Sequence, residues 1–295
     1  MKVTDIWNKA SGPTISFELF PARSEKGRDN LEKAIDDLAG LNPDFVSVTF
    51  GAGGSTRDGS FQLVENLKNK KSLEVIAYFA CYGLGPHDIT DILDAYMNIG
   101  IENILTVRGD IPKDDINFKP HPQSFIHTSE LISYIRPRYS FCIGAAGYPE
   151  GHIEAENKDK DLEFLKLKVL NGAEYIITNY FYDNQYYFDF IDRCGAKGIT
   201  VPVIPGIMPI YNIKMMEMLA GLCGATITDE IRQRTTALPI DDKKALIDFG
   251  VEYATQKCRE LINYGVPGLH FYTMDKSVSS IKIIQNLRDE GLLPS

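Results

Sequence analysis

Short apolar runs recur along this chain, and polar or glycine residues collect just beyond their C-terminal ends. TISFELFPAR (14–23) carries Glu18 inside such a run, and DFVSVTFGAGGS (44–55) ends in Thr49 and a glycine cluster. NILTVRGDIP (103–112) ends in Arg108, Gly109 and Asp110, and FCIGAAGYPEGH (141–152) ends in Tyr148 and His152. YIITNYF (175–181) carries Asn179, and LHFYTMD (269–275) closes the series. The runs predict strands near 14–20, 44–50, 74–81, 103–108, 141–147, 175–181, 202–209 and 268–273. Between them apolar residues fall at helical spacing, as in NLEKAIDDLAGL, where Leu31, Ile35 and Leu38 share a face. Such alternation predicts a parallel α/β sheet. About eight units in 295 residues favour a closed (β/α)8 barrel, the TIM barrel, over an open sheet. A barrel of this kind builds its active site at the C-terminal ends of its strands, which is where the unusual residues of this chain fall.

No low-complexity linker divides the chain, so one barrel domain over 1–295 is expected. It should carry an extra N-terminal helix near 3–10 and a helical insertion near 226–263. The stretches 111–123 and 153–160 read as active-site loops. A net charge of −9, from 31 basic and 40 acidic residues, argues against a nucleic-acid surface. An anionic small molecule needs only a few local cations and stays compatible with that charge. No run approaches the roughly 18 apolar residues of a membrane span. MKVTDIWNKASGP lacks the apolar core of a signal peptide, so a cytoplasmic enzyme is expected. The five cysteines are scattered with no C-x-x-C, and no H-x-x-x-H pair occurs. Neither an iron–sulfur cluster nor another metal is therefore indicated. GAGGSTRDG lacks the third glycine of a dinucleotide fingerprint, because Thr56 stands there, and no P-loop occurs.

Among the polar residues Glu18 is the sharpest candidate. Both faces of an inner barrel strand are covered, and a buried unpaired carboxylate is costly. A carboxyl raised in pKa by burial is suited to donate a proton near neutral pH. Arg108-Gly109-Asp110 reads equally as a ligand-binding turn or a salt-bridged strand end. Tyr148 to His152 reads as a stacking ring with a titratable imidazole, or as an ordinary tight turn. Lys168, by itself, reads as a solvated lysine on a helix whose Leu162, Leu165 and Val169 face inward. His270, in LHFYT, reads as a hydrogen-bonded core histidine. Residues alone lead to an α/β barrel enzyme with one buried acid and polar groups at the rim.

At these positions the chain resembles the methylenetetrahydrofolate reductase family. SFELFPAR, PDFVSVTFGAGGSTR, VRGDIP, AAGYPEGHIEA, KLKVLNGA, VIPGIMPI and VPGLHFYT follow in the family's order over nearly the whole chain. The resemblance implies FAD at the barrel mouth, with FMN possible, and a place in one-carbon metabolism. Thr49, Tyr78, Arg108, Gly109, Asp110, His127, Ala146, Tyr148, His152, Asp161 and Lys168 are then the expected flavin contacts. Glu18 becomes the general acid that opens the five-membered ring of methylenetetrahydrofolate. A hydride from reduced flavin then gives 5-methyltetrahydrofolate, with Asp110 tuning charge near flavin and pterin. Glu18, Asp110, Asn179, Tyr272 and Lys276 are the expected substrate contacts.

The chain departs from the family's pattern at five of these places. Tyr78 stands where a histidine is usual, and His127 where a tyrosine is common. Phe164 and Leu167 replace polar residues that help to bind FAD in some bacterial members. Asn179 replaces a glutamine, which retracts the amide by one methylene, roughly 1.5 Å, enough to lose a direct hydrogen bond. Three readings follow. One is a reductase fed by NADH or NADPH. Another is a reductase subunit fed by an iron–sulfur or flavin partner protein. The third is a non-redox folate-binding or methyltransferase barrel. A homo-oligomer or a hetero-complex is expected in either redox case.

Overall fold

In the computed structural model, residues 1–22, 24–51, 55–109, 118–239 and 242–294 are described. Among them eight strands pair in parallel and in chain order into a closed barrel, with β8 returning to β1. They are β1 (Thr14–Leu19), β2 (Phe45–Val48), β3 (Val75–Ala80), β4 (Asn103–Val107), β5 (Cys142–Gly147), β6 (Tyr175–Tyr180), β7 (Val203–Ile207) and β8 (Gly268–Tyr272). Every residue of β1 is buried, because one face meets the helices and the other the barrel interior. Ile15, Phe17 and Leu19 belong to the outer core, which leaves Ser16 and Glu18 pointing inward. Lower in the interior Phe45, Ile76, Leu105, Cys142, Tyr175, Ile177 and Ile204 fill the barrel with Val3. The barrel is thus a packed core beneath its mouth.

The helices are α1 (Val3–Lys9), α2 (Glu25–Ala39), α3 (Ser55–Glu65), α4 (Pro86–Asn98), α5 (Thr128–Ile135), α6 (Lys158–Leu170), α7 (Asn184–Ala196), α8 (Ile213–Cys223), α9 (Asp229–Thr236), α10 (Lys243–Tyr264) and α11 (Val278–Asp289). Helix α1 closes the N-terminal end of the barrel. Its Trp7 ring lies edge-on to Phe45 and Tyr175 at 5.8 and 5.4 Å, and Trp7 Nε1 donates to Thr14 Oγ1 at 2.9 Å. The stretch read as one insertion, 226–263, is two helices, α9 and α10, because Thr228 and Asp242 each cap a new start. They bury Ile231 and Tyr253 in a small second core with Tyr180 and Met208. The helix after β3 begins at Pro86, since proline suits a first helical turn. The Asp88 carboxylate closes that turn by accepting from the Gly85 N–H at 2.9 Å. No helix among the described residues is long and apolar enough to cross a membrane.

Candidate active site

The C-terminal mouth holds two adjoining arrangements. The first surrounds Glu18, which is 4% exposed near the top of β1. The barrel register sets Ser47 opposite it on β2 and Tyr272 opposite it on β8. The Tyr78 side chain, from β3, stands beside the Glu18 carboxyl and favours its charged form. Burial pushes that carboxyl up to about 8; Tyr78 opposes the rise and the negative charge of Asp275 adds to it. Glu18 is therefore neutral and proton-bearing near pH 7. Asp275 lies in the turn after β8, where Met274 and Asp275 both take positive φ, at 50° and 54°. That turn is held by the Phe20 N–H donating to Asp275 Oδ1 at 3.0 Å and by Thr273 Oγ1 donating to the Glu18 carbonyl at 2.7 Å. Tyr272 donates its hydroxyl to the Thr178 carbonyl at 2.8 Å. His270, one layer below, is fully buried between Ser16 and Ser47, and burial pushes its pKa down to about 3. It is a core histidine, neutral over the ordinary pH range.

The second arrangement is a cavity of about 340 Å³ between β4, β5, α5 and α6. Arg108, His127, Ala146, Tyr148, His152, Asp161 and Lys168 line it, together with Glu154 and Phe164. Asp161, Leu165 and Lys168 recur at i, i+4 and i+7 and so share one face of α6. That face points inward, so Lys168 is not the solvated lysine that its helix alone suggests. Its ammonium donates to the Ala146 carbonyl at 3.1 Å. Burial lowers the Lys168 pKa while Asp161 works to raise it. Among the described residues the Ala146 carbonyl is its one hydrogen-bond acceptor, which leaves two of three N–H donors for a bound anion. Burial raises the Asp161 carboxyl, opposed first by the Lys168 charge. The His152 imidazole is half-buried, its pKa lowered by that burial, and it stands edge-on to Tyr148 at 4.6 Å.

The Tyr148–His152 segment is both a turn and a wall of the cavity. The Gly151 N–H donates to the Tyr148 carbonyl at 2.9 Å, with Gly151 at φ 91°. Arg108 forms a two-pronged ion pair with Glu154, NH2 to Oε1 at 3.1 Å, across the cavity rim. The two readings of the Arg108 turn therefore merge, with Glu154 as the partner, which chain position alone could not show. Gly109 has φ 87°, and a Cβ there would stand 2.9 Å from that of Ala80, so only glycine fits this turn. Asp110 lies outside the described residues.

The remaining expected residues are less central. Thr49 follows β2, and its carbonyl accepts from Ser60 Oγ at 2.9 Å. His127 is exposed at the start of α5 and stacks on Phe164 at 6.2 Å. Asn179 lies at a register irregularity between Ile177 and Tyr180, in a narrow cleft with Tyr148 and Glu150. Lys276 is exposed, its ammonium 5.0 Å from the Tyr211 ring centre. Sequence reasoning missed Ser47, Asp275 and Glu154. Ser47 was signalled by a polar residue within FVSV, whereas the other two depend on how loops fold back over the mouth.

Comparison with known proteins completes the picture. The family model described as methylenetetrahydrofolate reductase matches residues 2–288. A rice protein (Oryza sativa subsp. japonica) named probable methylenetetrahydrofolate reductase (NADH) is 36% identical over 292 residues, covering 94% of this chain and 49% of its own. The 5,10-methylenetetrahydrofolate reductase of Escherichia coli K12 is 34% identical over 273 residues, covering 92% of this chain and 90% of its own. The chain thus spans about half the length of the plant relatives. Among solved structures, an uncharacterised Clostridium thermocellum protein that binds two copies of 5-methyl-5,6,7,8-tetrahydrofolic acid superposes with a TM-score of 0.65 at 16% identity, covering 98% of this chain and 99% of its own. A Xanthomonas albilineans dihydropteroate synthase superposes at 0.51 and 10% identity, covering 96% and 95%. These two likenesses concern the fold alone. On its sequence, this chain belongs to the methylenetetrahydrofolate reductase family.

Proposed function

We propose that the chain reduces 5,10-methylenetetrahydrofolate to 5-methyltetrahydrofolate with a bound flavin. The observation that carries this reading is Glu18, a buried carboxyl kept protonated near neutral pH, beside a cavity whose lysine has donors to spare. The donor set fits a flavin nucleotide. Lys168 and His152 suit its phosphates, Asp161 a ribityl or ribose hydroxyl, and the Arg108–Gly109 turn the edge of the ring system. The stacked His127 and Phe164 rings add a surface of the kind on which an adenine ring packs. Thr49, Ala146 and Tyr148 complete the proposed lining. When bound, the flavin supplies the hydride.

The chain's own residues do the rest. Glu18 gives its proton to a nitrogen of the bridged folate ring, so that the ring opens to an electrophilic iminium. The Tyr78 hydroxyl then steadies the carboxylate left behind. Tyr272 and Asn179 flank the folate, and Lys276 stands where a folate carboxylate can meet a cation. Purified protein should be yellow or become so with FAD. Its flavin absorbance should bleach with NADH and return on adding methylenetetrahydrofolate. Failure to bind any flavin, together with no turnover of folate, would overturn the reading.

A second reading, electrons delivered by a protein partner, draws on Asn179 and on α6. Phe164, Leu167 and Leu170 are 49, 45 and 69% exposed on that helix beside the cavity. Asn179 is too short to repeat a glutamine's contact with a nicotinamide carboxamide. One lost neutral hydrogen bond weakens binding by about three- to tenfold. NADH and NADPH should thus reduce the flavin with poor affinity, and Asn179→Gln should improve it. Stopped-flow reduction undetectable with both donors in flavin-replete protein decides for the partner.

A further inference from the structure

A continuous line of polar groups runs across the barrel interior behind Glu18. Ser16 Oγ lies 2.8 Å from His270 Nδ1, and Ser47 Oγ lies 3.3 Å from His270 Nε2. The Tyr78 side chain stands beside Ser47, Glu18 and Tyr272, so that its hydroxyl can pair with each of them. Four strands contribute: Ser16 and Glu18 from β1, Ser47 from β2, Tyr78 from β3, His270 and Tyr272 from β8. The register makes this possible, since Ser16 pairs with His270 and Glu18 with both Ser47 and Tyr272. None of these residues but Glu18 is needed to carry a proton to substrate, yet all occupy interior positions that apolar side chains fill lower in the barrel.

Counting protons along the line constrains it. Tyr272 spends its only proton on the Thr178 carbonyl, so toward Tyr78 it can only accept. Tyr78 has one proton and two acceptors, Glu18 and Tyr272. An ionised Glu18 can only accept, so it claims the Tyr78 proton. Tyr78 Oη is then free to accept from Ser47, Ser47 to accept from His270 Nε2–H, and His270 Nδ1 to accept from Ser16, whose hydroxyl is shared with the Leu269 carbonyl at 3.3 Å. From Ser16 to Tyr78 each O–H and N–H can then point toward Glu18. A protonated Glu18 can instead donate to Tyr78 or to a ligand, and Tyr78 turns its proton to Tyr272. Both arrangements satisfy every buried group, so the line has two complete states that differ by the rotation of one hydroxyl.

We propose that Tyr78, backed by Ser47 and His270, is a positioning residue that swings its hydroxyl between Tyr272 and Glu18 as Glu18 changes charge. This rests on the reading of Glu18 as the proton donor. No bond in the line is broken: the proton leaves Glu18 for the folate nitrogen, and Tyr78 only reorients. The aligned donors stabilise the new carboxylate where water cannot reach it. The ionisable groups around Glu18 among the described residues are Tyr78 from β3, Tyr272 and His270 from β8, and Asp275 from the turn beyond. Of these Asp275 opposes ionisation, and His270 stays neutral.

The test is a titration of the flavin-free protein by infrared difference spectroscopy, with Glu18→Gln identifying the carboxyl band. In Tyr78→Phe, which keeps the ring, the band should titrate about one pH unit or more higher than in the parent. Ser47→Ala should move it the same way by less, and Ser47→Thr should restore it. Titration at the parent's pH in both Tyr78→Phe and Ser47→Ala overturns the proposal, and the second variant guards against misfolding of the first. In flavin-loaded protein Tyr78→Phe should shift the pH profile of the folate step. If the band moves while no variant or parent turns over folate, the acid role of Glu18 fails and the control of its charge by Tyr78 stands.

Discussion

A carboxyl whose pKa rises from 4.5 to about 8 on folding holds its proton more tightly in the native state than in the unfolded chain. The corresponding stability is fully present below pH 4.5 and is lost as the pH rises through about 8. Glu18→Gln removes this dependence while keeping the size of the side chain. The variant should therefore gain stability over the parent between pH 5 and 8, by on the order of a few kcal/mol. Urea denaturation of flavin-free protein at several pH values measures it, and a difference that is the same at both ends of the range counts against the buried-acid account. Lys168 supports a second expectation. Removing its ammonium in Lys168→Met should weaken flavin binding by roughly ten- to a hundredfold, the scale of one charge-assisted hydrogen bond. Fluorescence titration with FAD reads this directly, and unchanged affinity would show that the phosphates lie elsewhere. Glu18 was legible in the sequence because a charge inside an apolar strand is itself a signal. Lys168 was not, because helical spacing gives the direction of a side chain and not what waits at its end. The pairing of Glu18 with Tyr78 needs two strands in register, which no local pattern carries.

The strands were legible almost to the residue, for a physical reason. A strand buried on both faces is a short, uninterrupted run of β-branched and aromatic residues, and its ends are marked by the glycine and polar groups of the mouth. Helix starts were less clear, because the first turn is polar and its signal is a cap. Helix α2 begins at Glu25 behind the Ser24 cap, five residues before the apolar pattern that announces it. Least visible was the close approach of β6, β7 and β8. Around Gly206 a Cβ would lie 2.3 Å from the Thr178 carbonyl oxygen and 2.5 Å from the Tyr272 ring. The register irregularity in β6 sits at the same place. Gly206→Ala should thus cost about 1–3 kcal/mol of stability. It should also displace Tyr272, so folate KM should rise more than flavin affinity falls. Thermal unfolding with paired kinetics checks this, and an unaltered KM would show that the ring accommodates the methyl group without moving.

Over the whole molecule, the proposed chemistry and the closure occupy opposite ends of the barrel. Glu18, Lys168 and the Arg108 turn gather at the C-terminal mouth, while α1 covers the N-terminal end through Val3 and Trp7. Between them lies the packed interior, with Phe45, Tyr175 and Ile204 below and the hydrogen-bonded layer of Ser16, Ser47 and His270 above. Cores of this kind transmit a disturbance only as far as side chains are forced to repack. Truncating Trp7 removes two aromatic contacts and the bond to Thr14 at the closed end without moving any residue of the mouth. Trp7→Ala should therefore destabilise the fold by about 3 kcal/mol. At a temperature where the variant is fully folded, flavin affinity, folate KM and the pH profile of turnover should match the parent. The chain's only tryptophan is lost in this variant, so unfolding must be followed by circular dichroism. A variant that stays folded yet shows a shifted pH profile would mean that the layer around His270 passes strain from one end of the barrel to the acid at the other. Stability lost with the profile intact is the outcome this division of the barrel requires.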